Sequence, residues 1–344
     1  MIFLIKVLNR DPVDKEKKKL FDLVDNFAKK KIAVWGDFIL DEYLYGTTRR
    51  ISREAPVLIL SFQKREFSLG GAGNSVLNLK ALGAEPLPIG VIGQDESGKK
   101  IIEILKNKNI STKFLIREKK FETPLKTRIL AGEDNTRKQQ ILRIDREAKV
   151  PENEALKGKL LNRLKEVQKD CCALLISDYN YLAVKEEIFN RLVPSFKRAK
   201  IPVTMDSRFR LLNFRGVTVA TPNEPEVEHA LNMQIQDESL LKKAGRLLLR
   251  KIESPALLIT RGSRGMILFE KGKPPYPIPV HGTTDIVDVT GAGDTVISVF
   301  SAALASGATF KQAALLANYA GGVVVMKKGT ATLTPLELKQ AIIS

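Results

Sequence analysis

A chain of 344 residues with 44% hydrophobic and 28% charged residues can bury a sizeable core under a charged surface, which excludes wholesale disorder. The formal net charge of +17 suits small anionic ligands. Lys and Arg are scattered, however, and aromatics make up only 6%, so neither nucleic acid nor a membrane surface is an expected partner. There is no run of about 18 apolar residues to span a membrane, and the apolar start at residues 1–8 is too short and too soon interrupted for a signal peptide; a cytoplasmic protein is expected.

In chain order, residues 1–30 are rich in Lys and Asp, with a helix expected over about 13–30, read as a solvated cap outside a main domain at 31–344. Lys31-Ile32-Ala33-Val34-Trp35-Gly36-Asp37 is an apolar run ending in Gly-Asp, the pattern of a buried parallel strand that delivers polar residues at its carboxyl end. Residues 43–67 alternate apolar and polar positions, as do 125–130 and 140–145. These are half-buried antiparallel strands, and two insertions at about 43–67 and 121–147 are expected to form a small β-sheet lid. Between them Gly70-Gly71-Ala72-Gly73-Asn74 leads into a helix through Leu82, followed by a strand at 88–93. From about residue 155 helices alternate with strands at 173–177, 203–206, 217–221, 256–260 and 266–270. That rhythm argues for an α/β fold with a mostly parallel sheet covered on both faces. The adjacent Cys171 and Cys172 open a buried strand; a disulfide between neighbours is geometrically poor, and packing is their expected role.

Five stretches carry candidate chemistry. Asp288-Val289-Thr290-Gly291-Ala292-Gly293-Asp294-Thr295 opens an apolar helix at 296–305. Gly-Ala-Gly at a helix start turns N–H groups toward an anion, and the helix dipole adds to the attraction. Asp294 beside such a site is poor company for phosphate unless it accepts the proton of an attacking hydroxyl; an ordinary glycine-rich turn capped by Asp294 is the competing reading. Asn223 and Glu226, at the end of a strand, have the spacing to hold hydrated Mg²⁺ near phosphates, or simply to cap a helix. Gly70–Asn74 lacks the third glycine of a dinucleotide fingerprint and better suits a close approach of backbone to a sugar, with Asn74 bonding hydroxyls. Asp37 and Asp41 are natural acceptors for sugar hydroxyls. Thr260-Arg261-Gly262-Ser263-Arg264-Gly265 is either a tight hairpin alone or a loop that also touches nucleotide phosphates. His229 and His281 form no zinc spacing with the cysteines.

In this order along one chain, the stretches resemble the ribokinase-like (PfkB) carbohydrate kinases over about residues 31–340. The resemblance implies a three-layer α/β/α fold with a central mostly parallel sheet and a β-sheet lid, acting on ATP and an anionic sugar with Mg²⁺ and K⁺, and a homodimer paired through the lid. It implies Asp294 as the base and the amides of Gly291, Ala292 and Gly293 as the anion hole. Asn223 and Glu226 would organise Mg²⁺, and Asp37, Asp41, Gly71 and Asn74 would bind the sugar. Thr260, Gly262 and Gly265 would meet the nucleotide, Asn318 on a helix at 311–320 would serve the adenine pocket, and Asp288, Thr290 and Gly329 would hold a monovalent cation.

Within that family, residues 36–43, 51–57, 139–145 and 175–179 are similar to kinases that phosphorylate O1 of D-glycero-β-D-manno-heptose 7-phosphate. Arg128 and Arg143 are then the candidates for the distal phosphate. Two departures touch the sugar side: Asn180-Tyr181-Leu182 replaces a usual Lys-Gly, and Ser207-Arg208 replaces Pro-Lys after Asp206. A kinase for another sugar, sugar phosphate or nucleoside is the alternative, and a non-catalytic kinase-like binding protein a second. Many heptose kinases are fused to a nucleotidyltransferase with a His-x-Gly-His motif; His229 and His281 do not form one, so a stand-alone kinase is expected.

Overall fold

The computed structural model describes residues 12–133, 138–282 and 287–344; residues 1–8, read above as too short for a signal peptide, lie outside them. A nine-stranded sheet has the order β13-β12-β11-β10-β9-β8-β1-β4-β5. Its strands are β1 Lys31–Gly36, β4 Glu85–Gly93, β5 Leu115–Glu118, β8 Ala173–Asp178, β9 Val203–Ser207, β10 Val219–Ala220, β11 Ala256–Thr260, β12 Met266–Glu270 and β13 Tyr276–Ile278. From β11 to β5 all neighbours are parallel, while β12 and β13 add antiparallel at the β11 edge.

Alternation along each strand builds the layers. Ile32 and Val34 of β1 face a cluster that includes Val76 and Leu79 of α2 (Ala72–Ala81), Val296 and Phe300 of α8 (Ala292–Ala305) and Leu316 of α9 (Phe310–Val324). Ala33 and Trp35 face the other cluster, with Leu160 of α4 (Glu154–Gln168), Phe189 of α5 (Glu186–Arg198) and Leu248 of α7 (Glu238–Lys251). Helix α3 (Glu96–Asn107) sends Ile101 and Leu105 to the first cluster and the short α6 (Glu224–Leu231) sends Val227 to the second. Each large apolar side chain buried this way is worth about 1.5–3 kcal/mol over leaving it in water.

The chain runs from β1 outward through β4 to β5, then returns to β8 on the opposite side of β1. Strand order therefore reverses between β1 and β8, and in open α/β sheets the crevice at the carboxyl ends of such a pair is where ligands bind. The ends in question are Gly36-Asp37 and Asp178-Tyr179.

A separate sheet, β3-β2-β6-β7, stands over that crevice, with β2 Phe38–Ile51, β3 Leu58–Gly71, β6 Leu125–Gly132 and β7 Gln139–Arg146. The expected lid is present, but its first two strands are longer than 43–67. β2 starts directly after β1, and β3 runs to Gly71, so Gly70-Gly71 is the end of a lid strand and not a loop. In register, Asp41 of β2 pairs with Lys126 of β6, and Arg128 of β6 with Arg143 of β7. On β7, Leu142 and Ile144 flank Arg143 and lie about half exposed on the opposite face.

The N-terminal helix α1 (Pro12–Asp25) is shorter than the expected 13–30 and is not a solvated cap. Leu20 and Val24, with Phe27 just beyond, are buried in the first core cluster beside Leu338 and Ile342 of α10 (Pro335–Ile343), and Asp25 pairs with Lys339 at 2.5 Å. Phe27→Ala is expected to cost about 3–5 kcal/mol in a urea titration, as for a buried aromatic; a detached cap would lose less than about 0.5 kcal/mol.

Candidate active site

Gly291 caps α8 with φ 78°, a left-handed conformation that favours glycine, and a Cβ there would strike the amide nitrogen of Asn74. Ala292 N–H donates to Val289 O at 3.2 Å, so one of the three amides read as an anion hole is already engaged; that of Gly293 stands in the first turn, where no intrahelical acceptor exists. Asp294, one residue on, is 3% exposed. Its Oδ2 accepts from Asn74 Nδ2 at 2.9 Å and its Oδ1 from the Tyr179 hydroxyl at 3.1 Å. Burial pushes its pKa up to about 7 against the pull of those two donors, with the charge of Asp41 adding to the rise.

Asn74 itself is fully buried and is held by Asn78, whose amide donates to Asn74 Oδ1 at 3.2 Å and whose own oxygen accepts from Thr295 Oγ1 at 3.1 Å. It orients Asp294 and is not free to bond a sugar. Asp37 differs from expectation in the same way. Its Oδ2 accepts the N–H groups of Tyr179 at 2.8 Å and Tyr181 at 3.0 Å, and its Oδ1 that of Ala183 at 2.9 Å. A carboxylate so used, 2% exposed, ties β1 to the loop after β8 and lines none of the cavities described below. Gly71, at φ 57°, leaves room for the Asp37 carbonyl and the Tyr179 ring, to which a Cβ would come within 2.6 and 3.3 Å; that close backbone approach serves the protein's own ring.

Three cavities meet at Tyr179 and Arg208. The first, about 160 Å³, is lined by Asp41, Arg128, Arg143, Tyr179, Arg208 and Asp294. Arg128 is ion-paired to Asp41 at 2.5 Å. The second, about 360 Å³, opens beyond it and carries Lys126, Arg143, Lys149 and Arg208 with Asp145 and Glu147. Arg143 faces both; Arg128 lines only the first, so of the two arginines read as phosphate ligands just one reaches the cationic outer space.

The third, about 170 Å³, runs past Gly293 to Asp206, Asn223 and Glu226. Asn223 and Glu226 form a capping box, with Glu226 N–H to Asn223 Oδ1 at 2.8 Å and Asn223 N–H to Glu226 Oε2 at 2.9 Å. Both earlier readings thus coexist: the pair caps α6 and faces the cavity. Burial, then the charges of Glu226 and Asp294, drive the Asp206 pKa well up, and burial raises Glu226 as well. Thr221 Oγ1 is buried at the same wall with no partner among the described residues. Two crowded carboxylates and an unused hydroxyl are a donor set that fits a hard divalent cation. No group of three His, Cys, Asp or Glu among the described residues could hold a metal alone, so such an ion would share its shell with water and phosphate oxygens.

An apolar cleft adjoins Gly293 on its other side, lined by Thr260, Gly262, Gly265, Val280, Val296 and Asn318. The Thr260–Gly265 stretch is the hairpin joining β11 and β12, and Asn318 on α9 donates to Pro279 O at 2.9 Å. The slot suits a flat aromatic base with a few polar contacts at its rim. Asp288 accepts from Thr290 N–H and Gly329 N–H, each at 2.9 Å, so one carboxylate joins the two loops read as a monovalent cation site.

The family model for pfkB family carbohydrate kinases matches residues 29–337. The chain belongs to that family. It is a sugar kinase, a phosphotransferase. This kinase is 37% identical over 324 residues, 94% of its length, to the bifunctional protein HldE of Geobacter metallireducens. It is 38% identical over 317 residues, 92% of its length, to HldE of Haemophilus influenzae strain KW20 Rd. It spans 65% and 64% of those two relatives. In fold it resembles Escherichia coli phosphofructokinase-2 in complex with potassium (TM-score 0.74, 17% identity, 92% of this chain and 98% of that one). It also resembles Arabidopsis thaliana ribokinase complexed with ribose and ATP (TM-score 0.67, 18% identity, 92% and 99%). The ribokinase-like fold expected from the motifs is the one observed.

Lys126 is a site residue that the sequence reading misses, and Tyr179, Asp206 and Arg208 enter it only within matched or departing stretches, with no role assigned. Asp206 had a usable signal: it ends an apolar strand as Asp37 does. Replacing Gly291 by Ala would force the Asn74 amide off Asp294, and is expected to lower kcat of the sugar kinase on the order of 10²-fold while the far-ultraviolet circular dichroism spectrum is unchanged.

Proposed function

We propose that this kinase transfers the γ-phosphoryl group of ATP to O1 of D-glycero-β-D-manno-heptose 7-phosphate, giving the 1,7-bisphosphate. The observation that carries the substrate class is the outer cavity: Lys126, Arg143, Lys149 and Arg208 outnumber Asp145 and Glu147 there, at the far end of the sugar space from Asp294. A dianionic phosphate on the distal end of a sugar would meet charge-assisted hydrogen bonds in such a place. The identity to two HldE proteins supports the heptose. A kinase for a different sugar phosphate is the second reading. Its support is the loop where Asn180 and Leu182 both take φ 67°, because Asn180 and Tyr181 shape the outer cavity.

The adenine would occupy the cleft at Asn318, with the triphosphate running along the Thr260–Gly265 hairpin toward Gly293. Asp294 takes the acceptor hydroxyl's proton as that oxygen attacks the γ-phosphorus and the bond to the departing ADP oxygen breaks. Mg²⁺, when bound, neutralises charge on the phosphate oxygens; Asp206, Asn223 and Glu226 would hold it through water. K⁺ would bind at the Asp288, Thr290 and Gly329 loops. The lid, closing over the sugar, would exclude water and limit wasteful hydrolysis. Pairing of two copies through the lid is supported by its exposed Val57, Leu58, Phe62, Leu142 and Ile144. We place the reaction in the cytoplasm, where ATP is supplied.

The test is ADP release from Mg-ATP with a panel of sugars and sugar phosphates. Release with heptose 7-phosphate and not with unphosphorylated heptose is expected, and Arg143→Ala should raise KM for the sugar phosphate more than for ATP. Release with free sugars alone would overturn the substrate class. Asp294→Asn should lower kcat about 10²–10⁴-fold. The pH dependence follows from the sign of the shift. The base works deprotonated and its pKa is raised to about 7, so kcat/KM should fall as pH drops below about 7 and level off above it. A profile flat down to pH 5 would show that Asp294 is not the titrating base.

A further inference from the structure

We propose that Tyr179 is a positioning residue for phosphoryl transfer, its hydroxyl holding the Asp294 carboxylate in the orientation that faces the acceptor. The proposal deepens, and rests on, the reading of Asp294 as the base.

Three observations converge. First, among the described residues each oxygen of the Asp294 carboxylate has one side-chain donor, Asn74 on Oδ2 and Tyr179 on Oδ1. Asn74 comes from α2 and Tyr179 from the loop after β8, so the carboxylate is gripped from both sides of the crevice. Second, Tyr179 lines the sugar cavity, the outer cationic cavity and the Asp206–Glu226 cavity together, which puts the phenol where acceptor and donor must meet.

Third, the backbone is shaped to deliver it. Asn180 and Leu182, the residues that flank Tyr181, are both left-handed, a conformation that side-chain-bearing residues rarely take. Three N–H bonds to Asp37 hold that loop, and the first of them is from Tyr179 itself. Gly71 leaves open the space that the ring fills. A plain connection from β8 to α5 needs none of this. Strain held in place by a dedicated clamp, at a cleft, is the pattern of a functional loop.

The phenol stays a donor, because burial and then the charges of Asp294 and Asp206 oppose its ionisation. The other charged groups facing Asp294 are Asp41, its partner Arg128, Lys126 and Arg143 from the lid, and Asp206 and Arg208 at the end of β9.

Tyr179→Phe keeps the ring and removes only the hydroxyl. We expect kcat to fall about ten-fold, the effect of losing a hydrogen bond to a charged group, with KM for ATP unchanged. The acid limb of the kcat/KM profile should move to higher pH, since a donor that favours the carboxylate is gone. In an Asp294→Asn background the same change should alter single-turnover ADP release less than about two-fold, because no carboxylate remains to be held. Parental kcat in Tyr179→Phe, or an equal loss in both backgrounds, overturns the proposal and leaves the base reading intact. Parental turnover in Asp294→Asn alone overturns both.

Discussion

One buried carboxylate, that of Asp37, accepts three backbone N–H groups from the loop that follows β8. The sheet's order reverses between β1 and β8, so two neighbouring strands send their chains in opposite directions at the same edge. That divergence opens the crevice, and it also leaves loop N–H groups without sheet partners. Asp37 supplies the missing acceptor. With the loop fixed, Tyr179 lies against Gly71 and reaches Asp294; with β2 beginning at Phe38, the lid grows from the same point. The clamp therefore sets the relation among sheet, lid and helix α8.

Around it the carboxyl edge gathers Asp178, Asp206, Glu226 and Asp294, an acidic cluster inside a basic protein. Asp178 is neutralised by Arg210, which also bonds the Val184 carbonyl. Asp206 and Glu226 have only the more distant charge of Arg208 and no ion pair among the described residues, and burial raises both pKa values in spite of it. An arrangement of this kind favours cation and phosphate binding over the stability of the empty protein, the usual trade at a functional site. The basic outer cavity is the complementary half: anion-binding and cation-binding spaces sit on either side of Tyr179.

Much of the architecture was legible because it follows from local pattern. Continuous apolar runs marked the parallel strands, alternation marked the lid, and Gly291-Ala292-Gly293 marked the start of α8. The errors have a common cause. The helix at the N-terminus looked solvated because Lys dominates it, yet a single stripe of Leu20 and Val24, with Phe27, is enough to join the core. Helix α3 lies outside the expected elements, although Asp95 caps it and Ile101 and Leu105 recur four apart on it. Asp37 and Asn74 were read as sugar ligands because polar residues at a strand end or beside glycines look alike whether they face a ligand or the protein's own backbone.

The sequence by itself determined the class of fold, the family and the acid at the head of α8, since these depend on periodicity and on residues adjacent in the chain. Only the tertiary structure decided which polar groups are spent internally and which remain for ligands. Asn74 and Asp294 are 220 residues apart, and Asp37 and Tyr179 are 142 apart. A hydrogen bond between such residues exists only once the sheet has brought them together, and each acceptor's few lone pairs are then either taken or free.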